Sequence, residues 1–230
     1  MIVYVDDFIL ISPAKHEAQI WKELDKHILY KDPAAPLQRF LGVNHDISTR
    51  SDGTYDMLTE GREYLQSAVK EYMKEIKVSS LPWVPTPSLE DKFEDHYAKK
   101  GKQADTVLSH LMKIMHLSRL CRGDVLTTTS FLARRVHYWS LNDDHRLHRL
   151  MSYIHHHVDL CFLHQLHPKD REGAFLDFSP DAELGGDPYT TQASGGYWLK
   201  LSSPCGERKW PIASGSKKAT RNLFGATERQ

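Results

Sequence analysis

The chain opens with the stretch Met1-Ile2-Val3-Tyr4-Val5-Asp6-Asp7-Phe8-Ile9-Leu10-Ile11-Ser12, in which two apolar runs flank a pair of aspartates. β-Branched and aromatic residues favour strands, so this stretch predicts a β-hairpin with an acidic tip. Side chains alternate between the two faces of a strand, and both carboxylates can approach one ion only at a turn. Because Mg²⁺ binds a few carboxylates together with substrate phosphates, Asp6 and Asp7 are a candidate cation site. The alternative interpretation is an ordinary aspartate-rich turn.

The pattern downstream of the hairpin predicts an α/β chain of the α+β type, with four regions. Residues 1–76 are expected in the order β-α-β-β-α, counting the hairpin once, because helical and alternating apolar spacing follow one another. Residues 77–104 are proline-rich and then charged, which predicts a linker. Residues 105–159 carry three helical patterns, and residues 160–230 return to alternation, with strands expected at 160–166, 174–178, 195–201 and 209–213.

Composition excludes several classes of protein. The 230 residues are 40% hydrophobic, and 30 Lys and Arg balance 30 Asp and Glu, which is typical of a globular protein and not of a disordered chain, collagen or a coiled coil. No apolar run approaches the roughly 18 residues of a membrane helix, and Asp6 and Asp7 interrupt the first apolar segment, so we expect neither a membrane span nor a secretory signal. We therefore expect an intracellular protein, cytoplasmic or nuclear, that makes no membrane contact.

The run Tyr4-Val5-Asp6-Asp7 resembles the palm motif of reverse transcriptases. Later segments follow in the order and approximate spacing of copia-type LTR retrotransposon polyproteins, and each of these segments is weaker than the first motif when taken alone. They are Arg39-Phe40-Leu41-Gly42-Val43, Leu58-Thr59 to Tyr64-Leu65, Pro85-Thr86-Pro87, Leu111 to His116, Arg122-Gly123-Asp124-Val125, and His145 to Ile154. The resemblance implies that residues 1–76 are the C-terminal part of a polymerase palm and its thumb side, and that residues 105–159 are a helical connection.

The last region resembles an RNase H domain. Phe178-Ser179-Pro180-Asp181-Ala182-Glu183 is similar to its first acidic strand, Ser194 to Tyr197 to the next strand, and Ser216 to Lys218 with Ala226-Thr227-Glu228 to its second acidic element. The resemblance implies that Asp6 and Asp7 bind Mg²⁺ or Mn²⁺ for nucleotidyl transfer, and that Asp181 and Glu228 bind the metals for RNA hydrolysis. The family usually lacks the proline of Pro180, so Asp177 is an alternative to Asp181.

The partners that the resemblance implies are an RNA–DNA hybrid or a primer-template and the remainder of the polyprotein. Because the net charge is zero, phosphate contacts would depend on local basic surface. A cluster of candidates surrounds the second acidic element: Arg208, Lys209, Trp210, Lys217 and Lys218. The alternative for this cluster is a solvated strand and loop.

The sequence also departs from the family. Family polymerases have a further metal-binding aspartate and the fingers upstream of the palm motif, and family RNase H domains continue past the Thr-Glu element. We therefore expect a chain truncated at both ends and inactive as a polymerase, and whether it is an enzyme at all stays open. The alternatives are a catalytically silent remnant that only binds nucleic acid or a protein partner, and a cellular protein with a chance Tyr-Val-Asp-Asp.

Overall fold

The computed structural model describes residues 1–5, 7–30, 32–89, 99–183 and 194–218. In these residues five α-helices combine with three antiparallel sheets, so the chain is of the mixed α/β type predicted from the sequence. No helix in the described ranges is long and apolar enough to cross a membrane.

The first sheet is the predicted hairpin. β1 (Ile2–Tyr4) pairs with β2 (Asp7–Ile9), with Tyr4 opposite Asp7. α1 (Ala14–Leu24) follows and buries none of its residues. The rings of Phe8 and Trp21 meet the ring of Tyr30 edge to face, with centroids 5.5 and 5.7 Å away. This unit is held by a few aromatic contacts and leaves most of its apolar side chains exposed.

The second sheet has the order β3-β4-β5-β6, with β3 (Arg39–Phe40), β4 (Val43–Thr49), β5 (Tyr55–Glu60) and β6 (Phe162–Leu166). The turn between β4 and β5 is closed by local contacts: the backbone N–H of Thr54 donates to the Asp52 carboxylate over 2.8 Å, and Gly53 takes a φ of +89°. β6 pairs with β5 along its whole length. The second sheet therefore combines β3, β4 and β5, which precede residue 160, with β6, which follows it. The sequence had predicted a boundary between two regions at residue 160.

Four helices pack against one another, and Val43 of β4 joins the core that they form: α2 (Arg62–Ile76), α3 (Val107–Leu120), α4 (Leu126–Arg134) and α5 (Leu141–His156). Each presents an apolar stripe at helical spacing, and burying these stripes together forms the core. Its fully buried members include Leu65, Leu111, Ile114, Leu117, Leu132, Leu147, Leu150, Met151 and Ile154.

The described part of the proline-rich segment lies against this core. Leu81 is buried in it, and Val84 packs on its surface. The Arg149 side chain donates to the backbone and side-chain oxygens of Thr86 over 3.1 and 2.8 Å. Residues 81–86 are therefore bound to the helices by apolar and polar contacts, although their composition predicted a linker.

A buried polar network fixes the start of α5. Ser140 and Asp143 form a reciprocal capping box, and Arg135 donates to both Asp143 carboxylate oxygens over 2.5 and 3.0 Å. Arg146 adds a third donor at 3.2 Å. Because a buried charge is costly unless it is paired, these donors are what allow the fully buried Asp143 carboxylate to stay ionised.

The third sheet has the order β7-β8-β9, with β7 (Phe175–Glu183), β8 (Ser194–Ser202) and β9 (Lys209–Lys218). The three strands predicted from residue 174 onward are present and longer, and β7 begins one residue later than predicted. The third sheet lies beside β6, where the rings of Trp198 and Phe162 meet with their centroids 5.3 Å apart. Among the residues that the structure describes, β7 pairs on one side only, and in such a strand the missing N–H of Pro180 costs least.

Candidate functional site

The acidic tip of the first hairpin is described only in part. Asp7 is exposed and begins β2, whereas Asp6 lies outside the described residues. Val5, beside it, has a φ of +54° and an exposed side chain, which is unusual for a β-branched residue and marks a tight turn. The cation site expected from Asp6 and Asp7 stays a prediction.

The acidic strand of the third sheet is β7. Asp181 is exposed and lies directly opposite Gly196 of β8. Residues directly opposite in antiparallel strands project from the same face, and glycine has no side chain there to cover the Asp181 carboxylate. The group is therefore accessible to a ligand from that face.

Asp177 lies on the same face as Asp181 because the two are four residues apart along one strand. Its surroundings differ: Asp177 is half-buried, and its Oδ2 lies 3.0 Å from the Nζ of Lys200. Asp177 is thus engaged in an ion pair within the sheet while Asp181 is open. Of the two acids that the sequence left as alternatives, Asp181 has the geometry suited to binding a ligand. The other acid proposed with it, Glu228, lies outside the described residues.

Within the parts of the chain that the structure describes, no group of three or more His, Cys, Asp or Glu side chains is placed to hold a metal ion. Four acids were proposed as metal ligands, and two of them, Asp6 and Glu228, lie outside the described residues. Carboxylate oxygens are the ligands that Mg²⁺ prefers, so the donor type of Asp7 and Asp181 fits the expected ion. Mg²⁺ binding stays a prediction.

The predicted basic cluster divides into residues with internal contacts and residues at the surface. Arg208 donates to both oxygens of the buried Asp170 carboxylate over 2.7 and 2.6 Å. These hydrogen bonds, above all other causes, lower the pKa of Asp170 to about 2. Arg208 therefore links the β8–β9 loop to the short 3-10 helix Pro168–Arg171. The Trp210 ring is half-buried against the His164 ring, with centroids 4.9 Å apart.

The two remaining described cations, Lys209 and Lys217, are exposed, and the Lys218 side chain lies outside the described residues. Strand register separates them. Lys209 is opposite Ser202, on the face of Asp177 and Asp181, whereas Lys217 is opposite Gly195, on the other face. Lys200 also lies on the aspartate face and was not among the predicted residues. Alternation along β8 places Lys200 on the same face as Trp198, two residues away. This pattern could have identified the lysine from the sequence.

Arg122 and Asp124, which resemble a family element, form part of the core. Arg122 is 1% exposed, donates to Asp124 over 2.9 and 2.8 Å, and lies over the Tyr153 ring. A Cβ on Gly123 would come within 2.7 Å of the Trp198 ring, so glycine allows the third sheet to approach closely here. In this structure the element connects the helices to the third sheet.

Comparisons of the chain with protein-family models, with curated proteins and with solved structures found no match. The resemblance to copia-type polyproteins therefore rests on the sequence motifs.

Proposed function

We propose that the chain is part of a retrotransposon RNA-directed DNA polymerase and RNase H, and that its third sheet contributes to a site that hydrolyses the RNA strand of an RNA–DNA hybrid. The observation that carries this proposal is the position of Asp181. It is an exposed carboxylate near the end of the first strand of an antiparallel sheet, opposite a glycine that leaves it uncovered. The ordered sequence motifs around it support the same function.

In this proposal Asp181 and Glu228 would hold Mg²⁺, which stabilises negative charge on a phosphodiester and activates water when it is bound. Asp177 would take no part in metal binding, because its carboxylate is engaged with Lys200 in a 3.0 Å ion pair. Lys209, on the same face, would contact the nucleic-acid backbone, because phosphate binding depends on local lysine and arginine. Arg208 would serve the sheet itself, since both of its described side-chain hydrogen bonds go to Asp170.

The upstream motif would descend from a polymerase palm. Nucleotidyl transfer would need carboxylates beyond Asp6 and Asp7, and among the described residues no group of three or more His, Cys, Asp or Glu side chains is placed to hold a metal ion. Primer extension on an RNA template, assayed beside the cleavage reaction, should yield no product.

The full chain should cleave the RNA strand of a labelled RNA–DNA hybrid in Mg²⁺ and not in EDTA. Asp181→Asn should remove cleavage, because the amide cannot supply the anionic oxygen that the cation needs. Asp177→Asn is the matched control on the same strand and face, and it should retain most of the cleavage. Cleavage that survives Asp181→Asn at the parent rate would overturn the proposal.

Binding of nucleic acid without catalysis is a second candidate function. It is favoured by the exposed Lys209, which lies on the same face of the sheet as Lys200 and could contact the nucleic-acid backbone. In this case the hybrid should bind with an affinity that falls as salt rises, Lys209→Ala should weaken binding and reduce the salt dependence, and Mg²⁺ should produce no cleavage.

A further inference from the structure

His164 is a buried imidazole at the contact between the second and third sheets. Its side chain is 6% exposed, and its ring meets the Trp210 ring of β9 with centroids 4.9 Å apart. Within the described residues neither ring nitrogen makes a hydrogen bond of good geometry. Burying a polar group without such a bond costs free energy, which an apolar ring of similar size would not. We propose that His164 acts as a pH-sensitive switch: its protonation in mild acid releases the third sheet from the second.

The described groups around His164 oppose a positive charge on its ring. His45 of β4 lies on the same face of the second sheet, because it is opposite Thr59, and His164 is opposite Met57, two residues away along β5. The charge of His45 adds to burial in lowering the pKa of His164. From β9, the Pro211 carbonyl favours the protonated ring, but it acts weakly. A proton on His164 is therefore poorly compensated while the two sheets remain in contact.

The contacts that hold the third sheet in place respond differently to pH. The link from Arg208 to Asp170 persists in mild acid, because its hydrogen bonds lower the pKa of Asp170 to about 2. The contact between the rings of Trp198 and Phe162 contains no ionisable group. Of these three contacts, the one made by His164 is therefore the one that weakens as the pH falls from 6.5 towards 4.

Loss of this contact should act on the third sheet before the rest of the chain. A sheet of three strands needs a packed apolar face to be stable, and this sheet already exposes more than half of Leu176 and of Phe178. The helical core depends instead on fully buried apolar side chains such as Leu111 and Leu150, which do not titrate. We therefore expect the third sheet to open as a local unit, displacing Asp181, while the core stays folded. This switch would operate whether or not the chain cleaves RNA.

The test is hydrogen exchange of the full chain at pH 7 and pH 4.5, expressed as protection factors so that the intrinsic pH dependence of exchange is removed. His164 has a pKa of about 4 with the sheets in contact and its ordinary value of 6.5 once they separate. The equilibrium constant for opening should therefore rise about fifty-fold between the two pH values. Protection factors of the amides of residues 209–213 should fall by the same factor. Amides of residues 147–154 in α5 should stay better protected than these at both pH values.

His164→Phe keeps a ring and removes the titration, so protection of residues 209–213 should change less than about three-fold between the two pH values. His164→Leu provides the same comparison with a smaller side chain. His155→Gln is the matched control, because the pKa of His155 is also lowered by burial but this residue lies at the end of α5, and it should keep the parent's response. A parent-like loss of protection in both His164 variants would overturn the proposal. Equal protection of residues 147–154 and 209–213 would also overturn it, since the whole chain would then unfold together.

Discussion

His164 should make the stability of this protein depend on pH in a way that one substitution can isolate. The side chain is 6% exposed and lies between the second and third sheets, against the rings of Phe162 and Trp210. Burial, reinforced by the nearby His45, lowers the pKa of His164 to about 4. The Pro211 carbonyl raises this pKa only weakly, because neither nitrogen of the His164 ring makes a hydrogen bond of good geometry within the described residues.

The sign and size of the effect follow from this pKa. The unfolded chain binds a proton at His164 near pH 6.5, whereas the folded chain resists protonation until about pH 4. The stabilisation is therefore present above pH 6.5 and is lost as the pH falls towards 4. One pKa unit corresponds to about 1.4 kcal/mol, so the full effect is about 3 kcal/mol, of which about 2 kcal/mol should be lost between pH 8 and pH 5.

The assay is urea denaturation of the parent and of His164→Phe at pH 8, 7, 6 and 5, followed by tryptophan fluorescence. His45, His148 and His155 also have pKa values lowered by burial, and they titrate in both proteins. The difference between the two curves therefore reports His164. We expect the free energy of unfolding of the parent to fall by about 2 kcal/mol more than that of the variant between pH 8 and pH 5. Parallel curves would refute the argument.

Three further substitutions and one comparison variant, Lys209→Ala, test the packing. Asp143→Ala should lower the free energy of unfolding by about 3 to 5 kcal/mol in urea denaturation, because it leaves the Arg135 guanidinium buried without its carboxylate. Leu150→Ala removes a side chain with no exposed surface and should cost about 2 to 5 kcal/mol, measured in the same way. Arg208→Ala should lower the urea midpoint clearly more than Lys209→Ala, since only the arginine holds a buried carboxylate.

Each of these substitutions has an outcome that contradicts its reasoning. A loss below 1 kcal/mol for Asp143→Ala would mean that the network is solvated in solution. A similarly small loss for Leu150→Ala would show a core that collapses to fill the space, and equal midpoints for the two cation substitutions would show that the link from Arg208 to Asp170 contributes nothing.

Much of the local structure could be predicted from the sequence. The hairpin at Tyr4 to Asp7, the turn at Asp52 to Thr54 and the four helices of the core depend on alternation, helical spacing and turn residues, which act over a few neighbours in the chain. The acidic strand was expected from the resemblance of Phe178 to Glu183 to an RNase H strand, and the alternation at 174–178 predicted a strand that the structure shows as β7.

Long-range partners could not be predicted in this way. β6 looked like the first of the C-terminal strands, yet it pairs with β5, more than a hundred residues earlier. Arg208 looked like part of a nucleic-acid surface, yet its hydrogen bonds go to Asp170. Leu81, in the segment predicted as a linker, is buried in the core. Apolar and charged residues have the same local pattern whether they meet solvent, nucleic acid or another strand. Which of these they meet depends on the surfaces that folding brings together, so tertiary structure alone decides it.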